Sequence, residues 1–110
     1  MFVGGDATRL IELATTEKTP ELRLTAIRNL GVMGSTKTGE ALVSIYRNET
    51  DAEVRSAVIQ GLFVQNNAKA LVDLARQETD VTLKQRIVRQ LSLMTKSKEA
   101  MDYLVEILGK

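Results

Sequence analysis

The sequence predicts an all-α fold: a right-handed α-solenoid of about three and a half helical hairpins, seven helices in all. Three observations predict it. One proline and four aromatics (two Tyr, two Phe) among 110 residues, with abundant Leu, Ala, Val and Ile, favour helix over strand. A tetrad recurs as Leu10-Ile11-Glu12-Leu13, Leu42-Val43-Ser44-Ile45, Leu71-Val72-Asp73-Leu74 and Leu104-Val105-Glu106-Ile107, at offsets of 32, 29 and 33 residues. The distance from Leu13 to Leu30, from Ile45 to Leu62 and from Leu74 to Leu91 is 17 residues each time, whereas the joins between units run to 12, 9 and 13. A rigid internal spacing with elastic joins is what a helix-turn-helix packing module produces.

Residues 1–5, with Gly4 and Gly5, read as a flexible leading segment, and 6–110 as a single repeat domain. Its units span about 6–37, 38–66 and 67–96, with a final helix at 97–108. The first helix runs over about 7–15 with Asp6 as its N-cap. A turn, Thr16-Glu17-Lys18-Thr19, follows; its equivalents are Asn48-Glu49-Thr50-Asp51 and Gln77-Glu78-Thr79-Asp80. Thr19, Asp51 and Asp80 stand where the second helix of each unit needs an N-cap acceptor. Pro20 occupies the first helical position, where its missing N–H costs little.

The second helices carry the clearest pattern. Leu22, Ala26, Ile27 and Leu30 lie on one face at the spacing i, i+4, i+5, i+8. Val54, Val58, Ile59 and Leu62 repeat it, as do Leu83, Ile87, Val88 and Leu91. Gly34 ends the first of these helices and Asn66 with Asn67 the second, residue types that tolerate a left-handed C-cap. The third ends less distinctly at Met94-Thr95-Lys96-Ser97, and Ser97 caps the last helix. On that helix Glu99, Asp102 and Glu106 form a solvated acidic face. Tyr46, Phe63 and Tyr103 lie beside core positions and pack between units, and Met33 and Met94 fill gaps.

Composition removes several function classes. Cysteine, histidine and tryptophan are all absent. Without Cys there are no disulfides and no thiol chemistry; without His, Ser/His/Asp catalysis and the commonest metal ligand are gone. No glycine-rich phosphate loop is present, and no carboxylate cluster has calcium-loop spacing. Glu12, Asp73 and Glu106 share one repeat position, which reads as a solvated face rather than a catalytic pair. The chain is therefore expected to be no enzyme and to need no cofactor. The net charge of +1 gives no global drive toward nucleic acid or membrane, and no apolar run is long enough to span one. The opening Met-Phe-Val-Gly-Gly is too short and uncharged for a signal peptide, so the default expectation is the cytoplasm.

The stretch Thr19-Pro20-Glu21-Leu22-Arg23-x-x-Ala26-x-x-x-Leu30-Gly31 resembles the second helix of a HEAT repeat. The second unit keeps Asp51-x-Glu53-Val54-Arg55, and the third keeps Asp80, Leu83 and Lys84. The resemblance covers about residues 6–108 and is similar to the short bacterial kind also found in phycobiliprotein lyase subunits. It implies an armadillo-like helical scaffold that binds protein. It also implies that Arg23, Asp51, Arg55, Asp80 and Lys84 form a structural polar ladder, either as i, i+4 pairs (Asp51 with Arg55, Asp80 with Lys84) or by bridging adjacent units. Arg23 lacks a local acid because Thr19 stands in that place: Thr19 acts only as a cap, or Arg23 is free for a ligand.

In such arrays the second helices line the concave side. Here they hold six basic residues against two acidic, a net of +4, whereas the first helices hold five against eight, a net of −3. The inner surface is thus expected to be the more positive. Leu24 and Arg28, Ser56 and Gln60, and Gln85 and Arg89 lie off the core stripe of successive second helices and are the candidate partner-binding residues. They form a mixed apolar and basic track suited to an acidic or amphipathic peptide. Nucleic-acid binding is the rival use, opposed by the balanced net charge and the shortage of aromatics for stacking. Service as an accessory subunit of a lyase-type enzyme is a third, opposed by the missing Cys, His and Trp. The end units lack an obvious polar capping surface, so the sequence reads as a piece of a longer array, or as one whose ends pair with something, themselves included. A complete small domain capped by its own last helix is the alternative.

Overall fold

A computed structural model describes the backbone of residues 6–34 and 36–109, with side chains at 7–34 and 37–109. The expected leading segment at 1–5 lies outside the described residues, as does the Asp6 side chain expected to cap the first helix. Seven α-helices run in order: α1 (Asp6–Thr16), α2 (Pro20–Met33), α3 (Thr36–Asn48), α4 (Ala52–Val64), α5 (Ala68–Gln77), α6 (Val81–Ser92) and α7 (Lys98–Leu108). No strand occurs among the described residues.

Local chemistry sets the helix ends. Asp51 accepts from the N–H groups of Glu53 and Val54 at 2.8 and 3.2 Å, Asp80 from Leu83 at 3.0 Å and Ser97 from Ala100 at 3.2 Å, which satisfies donors that a helix start leaves free. Thr19 has the extended backbone of a cap, yet its hydroxyl makes no cap bond. Instead the Glu17 carboxylate reaches forward to the Thr19 N–H at 3.3 Å. Gly34 closes α2 in the left-handed region at φ +63°. Asn66, at φ +58°, makes the reversal after α4. Asn67 differs from expectation: it begins α5, its side chain accepting from the Ala70 N–H at 3.2 Å.

The helices pack as a solenoid of paired layers. α1 lies on α2, α3 on α4 and α5 on α6; even-numbered helices stack in the order α2–α4–α6 and odd-numbered ones in the order α1–α3–α5–α7. The molecule is elongated, 44 by 26 by 16 Å. One core runs through it, built from the predicted stripe: Ile27, Leu30, Val54, Val58, Ile59, Leu62, Ile87 and Leu91 are buried. Tyr46, Tyr103 and Met94 are buried as expected. Met33 is not; at the C-terminal end of α2 it is left 37% exposed. Leu22 also departs from its stripe at 53% exposed, against 0% for Val54 at the same repeat position. α4 packs on α2 of the preceding unit, whereas no second helix of an earlier unit packs on α2 among the described residues.

One buried polar link was not legible from periodicity. The Gln65 amide at the end of α4 donates to the Leu30 carbonyl at 3.1 Å and to the Thr38 hydroxyl at 2.8 Å. It ties the ends of α2 and α4 to the start of α3, and Thr38 is fully buried there.

Candidate functional site

The candidate surface is the face formed by α2, α4 and α6. Its central feature is a cleft of about 450 Å³ between α2 and α4. Leu24, Ala57, Val32 and Val64 give it apolar walls, and Gly31 and Gly61 lie against it without side chains. A Cβ on Gly31 would stand 2.8 Å from the Gly61 Cα, so the two helices approach backbone to backbone at that point. Arg28, Arg86 and Glu53 supply charge around the opening.

A second cleft, between α4 and α6, adjoins the first through Ser56, Gln60 and Arg86. Gln85 and Arg89 line it. Polar contacts cross this junction: Arg86 donates to the Ser56 hydroxyl at 2.9 Å and Gln90 to the Gln60 amide oxygen at 3.1 Å. Sequence reasoning placed Leu24, Arg28, Ser56, Gln60, Gln85 and Arg89 on one face, and the geometry brings all six to these two clefts. Leu24 is half-buried and packs on the core, rather than standing free. Arg86 and Glu53 were missed as site residues. Arg86 lies one position past Gln85, and its reach across to α4 depends on the neighbouring helix rather than on helical spacing. Arg28 and Arg89 are exposed and make no ion pair among the described residues.

The polar ladder runs through different acids from those expected. Arg23 pairs with Glu49 of the next unit at 3.2 Å and also donates to the Glu17 and Lys18 carbonyls of its own turn at 2.9 and 3.2 Å. Arg55 repeats this one unit on, donating to the Glu49 carbonyl at 2.6 Å and pairing with Glu78 at 3.3 Å. Asp51 and Asp80 do not pair with Arg55 and Lys84, because their carboxylates are turned onto the helix N-termini they cap. Arg23 is accordingly engaged by its neighbouring unit. Lys84 meets no carboxylate among the described residues.

Glu78 is the most heavily used rung. It accepts from the Tyr46 hydroxyl and from the Asp80 N–H at 2.9 Å, and the Arg55 guanidinium lies 4.7 Å over the Tyr46 ring. Burial opposes charge on Glu78, but the Tyr46 hydrogen bond, the Asp80 and Thr79 N–H groups and the Arg55 charge outweigh it and hold its pKa below the ordinary glutamate value. Burial, and then the bond to Glu78, push the Tyr46 phenol well above its ordinary value. On the odd-numbered face Arg76 pairs with Glu106 at 2.6 and 3.0 Å, so the acidic face expected on α7 is partly neutralised. No group of acidic residues that could hold a metal occurs among the described residues, and no helix there is long and apolar enough to cross a membrane.

Stacked hairpins with a continuous core and a rung of arginine and glutamate between turns define an α-solenoid of the helical-repeat class. The family model described as HEAT repeats matches residues 7–62, just over half of the chain, and the chain belongs to that family. No curated protein and no solved structure matches it. HEAT repeats generally mediate protein–protein interaction, and the family is typically a non-catalytic scaffold.

Proposed function

We propose that this chain is a non-catalytic scaffold that binds an acidic or amphipathic segment of a partner protein across the face of α2, α4 and α6, the concave side of the array. The observation that carries the reading is the apolar cleft between α2 and α4 with Arg28 and Arg86 at its opening. An apolar floor buries the aliphatic or aromatic side of a segment, while guanidinium groups offer its carboxylates hydrogen bonds as well as charge. Among the described residues Arg28 and Arg89 have no ion pair to give up on binding, so little is lost when they turn to a ligand.

The test is a panel of fluorescent acidic amphipathic peptides titrated with the protein. Arg28→Glu with Arg89→Glu is expected to weaken the best binder by about a hundredfold, with the helical circular dichroism unchanged. Unaltered affinity would remove this surface from consideration.

A further inference from the structure

Two grooves on the α2–α4–α6 face hold equivalent places in the repeat and differ in chemistry. The α2–α4 groove, about 450 Å³, is walled by Leu24, Val32, Ala57 and Val64 over the bare backbone of Gly31 and Gly61. The α4–α6 groove, about 480 Å³, is lined mostly by Ser, Thr, Gln and Arg side chains. The offset of 29 residues that aligns Leu62 with Leu91 also aligns Ala57 with Arg86 and Gly61 with Gln90. Arg86 and Gln90 span the second groove, donating to the Ser56 hydroxyl at 2.9 Å and to the Gln60 amide oxygen at 3.1 Å. Ala57 and Gly61 are too short to make either link, and Leu24, the counterpart of Ser56, offers no acceptor. The identity of these residues leaves the first groove unbridged and apolar.

We propose that the α2–α4 groove takes one aromatic side chain of the partner segment, with a neighbouring carboxylate of that segment on Arg28 or Arg86, and that Ala57 and Gly61 set this preference. The proposal rests on the reading that this face binds an acidic or amphipathic segment. A flat ring matches a floor of bare helix backbone and buries more apolar area there than an aliphatic side chain does. The Arg28 and Arg86 guanidinium groups at the opening can stack on the ring and still meet a carboxylate. Glu53, the acidic residue of the lining, turns that carboxylate toward the two arginines. The ring comes from a partner protein rather than from a second copy of the chain. Among the described residues Tyr46 and Tyr103 are buried and Phe63 is half-buried, so none of them offers a free ring.

The probe is a fluorescent peptide with a single Phe flanked on each side by aspartates, compared with versions in which that Phe is Leu or Ala. Replacing Phe by Ala is expected to weaken binding about tenfold or more, and replacing it by Leu to weaken it by a smaller factor. Ala57→Arg installs the side chain that α6 carries at this repeat position, so the variant is expected to keep its helical circular dichroism. It adds a positive charge, yet it is expected to weaken the Phe peptide about tenfold while the Ala peptide binds as well as before or better. Ala57→Leu fills the groove without charge and is expected to act on the Phe peptide in the same way. Equal affinity of the Phe peptide and either replacement, or a Phe peptide that Ala57→Arg strengthens, overturns the proposal. If Arg28→Glu with Arg89→Glu then still weakens all three peptides, the wider reading of the surface stands without the aromatic anchor; if it weakens none, both fall. Self-association of the protein in sedimentation that Ala57→Arg abolishes also overturns the proposal, since the occupant would then be a second copy.

Discussion

Gly31 on α2 meets Gly61 on α4 so closely that the two positions are not interchangeable. A Cβ built on Gly31 falls 2.8 Å from the Gly61 Cα, whereas one built on Gly61 lies 3.5 Å from the Gly31 Cα and 3.4 Å from a Leu42 methyl. The first collides with backbone, which cannot swing aside; the second is ordinary contact.

Gly31→Ala is therefore expected to part the helices and to destabilise the protein by about 1–3 kcal/mol through overpacking, only partly offset by the ~1 kcal/mol by which alanine favours helix over glycine. Gly61→Ala is expected to be neutral or stabilising by up to ~1 kcal/mol. Urea unfolding midpoints of the two variants measure the difference. Equal losses would show that the contact is looser than its geometry.

The rung at Glu78 is expected to matter more than the pair on the odd-numbered face. Its carboxylate is nearly buried and serves Tyr46, Arg55 and the Asp80 N–H together. Glu78→Ala or Tyr46→Phe removes a hydrogen bond that involves a charged group, a loss of about 1.5–3 kcal/mol by equilibrium unfolding. Arg76→Ala breaks the pair with Glu106 in an exposed setting and is expected to leave the unfolding midpoint within experimental scatter.

The same rung gives the stability a pH signature at both ends. Glu78 has a lowered pKa in the fold, so its contribution is complete above the ordinary glutamate value of about 4.3 and is lost as the pH falls through the lowered one. Tyr46 has a raised pKa, so its contribution is complete below the ordinary tyrosine value of about 10 and fades as the pH climbs past it. Stability measured against pH is expected to have a shallower acid limb in Glu78→Gln and a shallower alkaline limb in Tyr46→Phe. Limbs of unchanged slope would place the titration elsewhere.

The N-caps are expected to divide by their bonds rather than by their repeat position. Asp51→Ala and Asp80→Ala each remove a carboxylate that accepts from the helix start, a cost of about 0.5–2 kcal/mol. The Thr19 hydroxyl makes no such bond, so Thr19→Ala is expected to change thermal stability little. Thr19→Asp supplies the missing acceptor and is expected to raise it by up to ~1 kcal/mol.

Much of the fold was legible because its signals are local. The stripe at i, i+4, i+5, i+8 placed the even-numbered helices, the caps at Asp51 and Asp80 placed the starts of α4 and α6, and Ser97 placed that of α7. The candidate face was legible for the same reason, since Leu24, Arg28, Gln60 and Arg89 are displaced from that stripe by helical geometry alone. The partners of Arg23 and Arg55 were not. Glu49 and Glu78 lie 26 and 23 residues away, and nothing periodic within one helix says which acid of the next turn swings into reach.

The sequence by itself determined the helices, the repeat and the side of each helix that turns inward, because burial periodicity and capping act over a few residues. The tertiary structure decided what lies between units. Gly31 aligns in the repeat with Phe63 and Gly61 with Asn29, so only the packed pair shows why neither carries a side chain there. Leu22 and Val54, or Val105 and Val72, are alike in sequence and opposite in exposure. A residue's burial depends on which helix stands against it, and that is a property of the stack rather than of the segment.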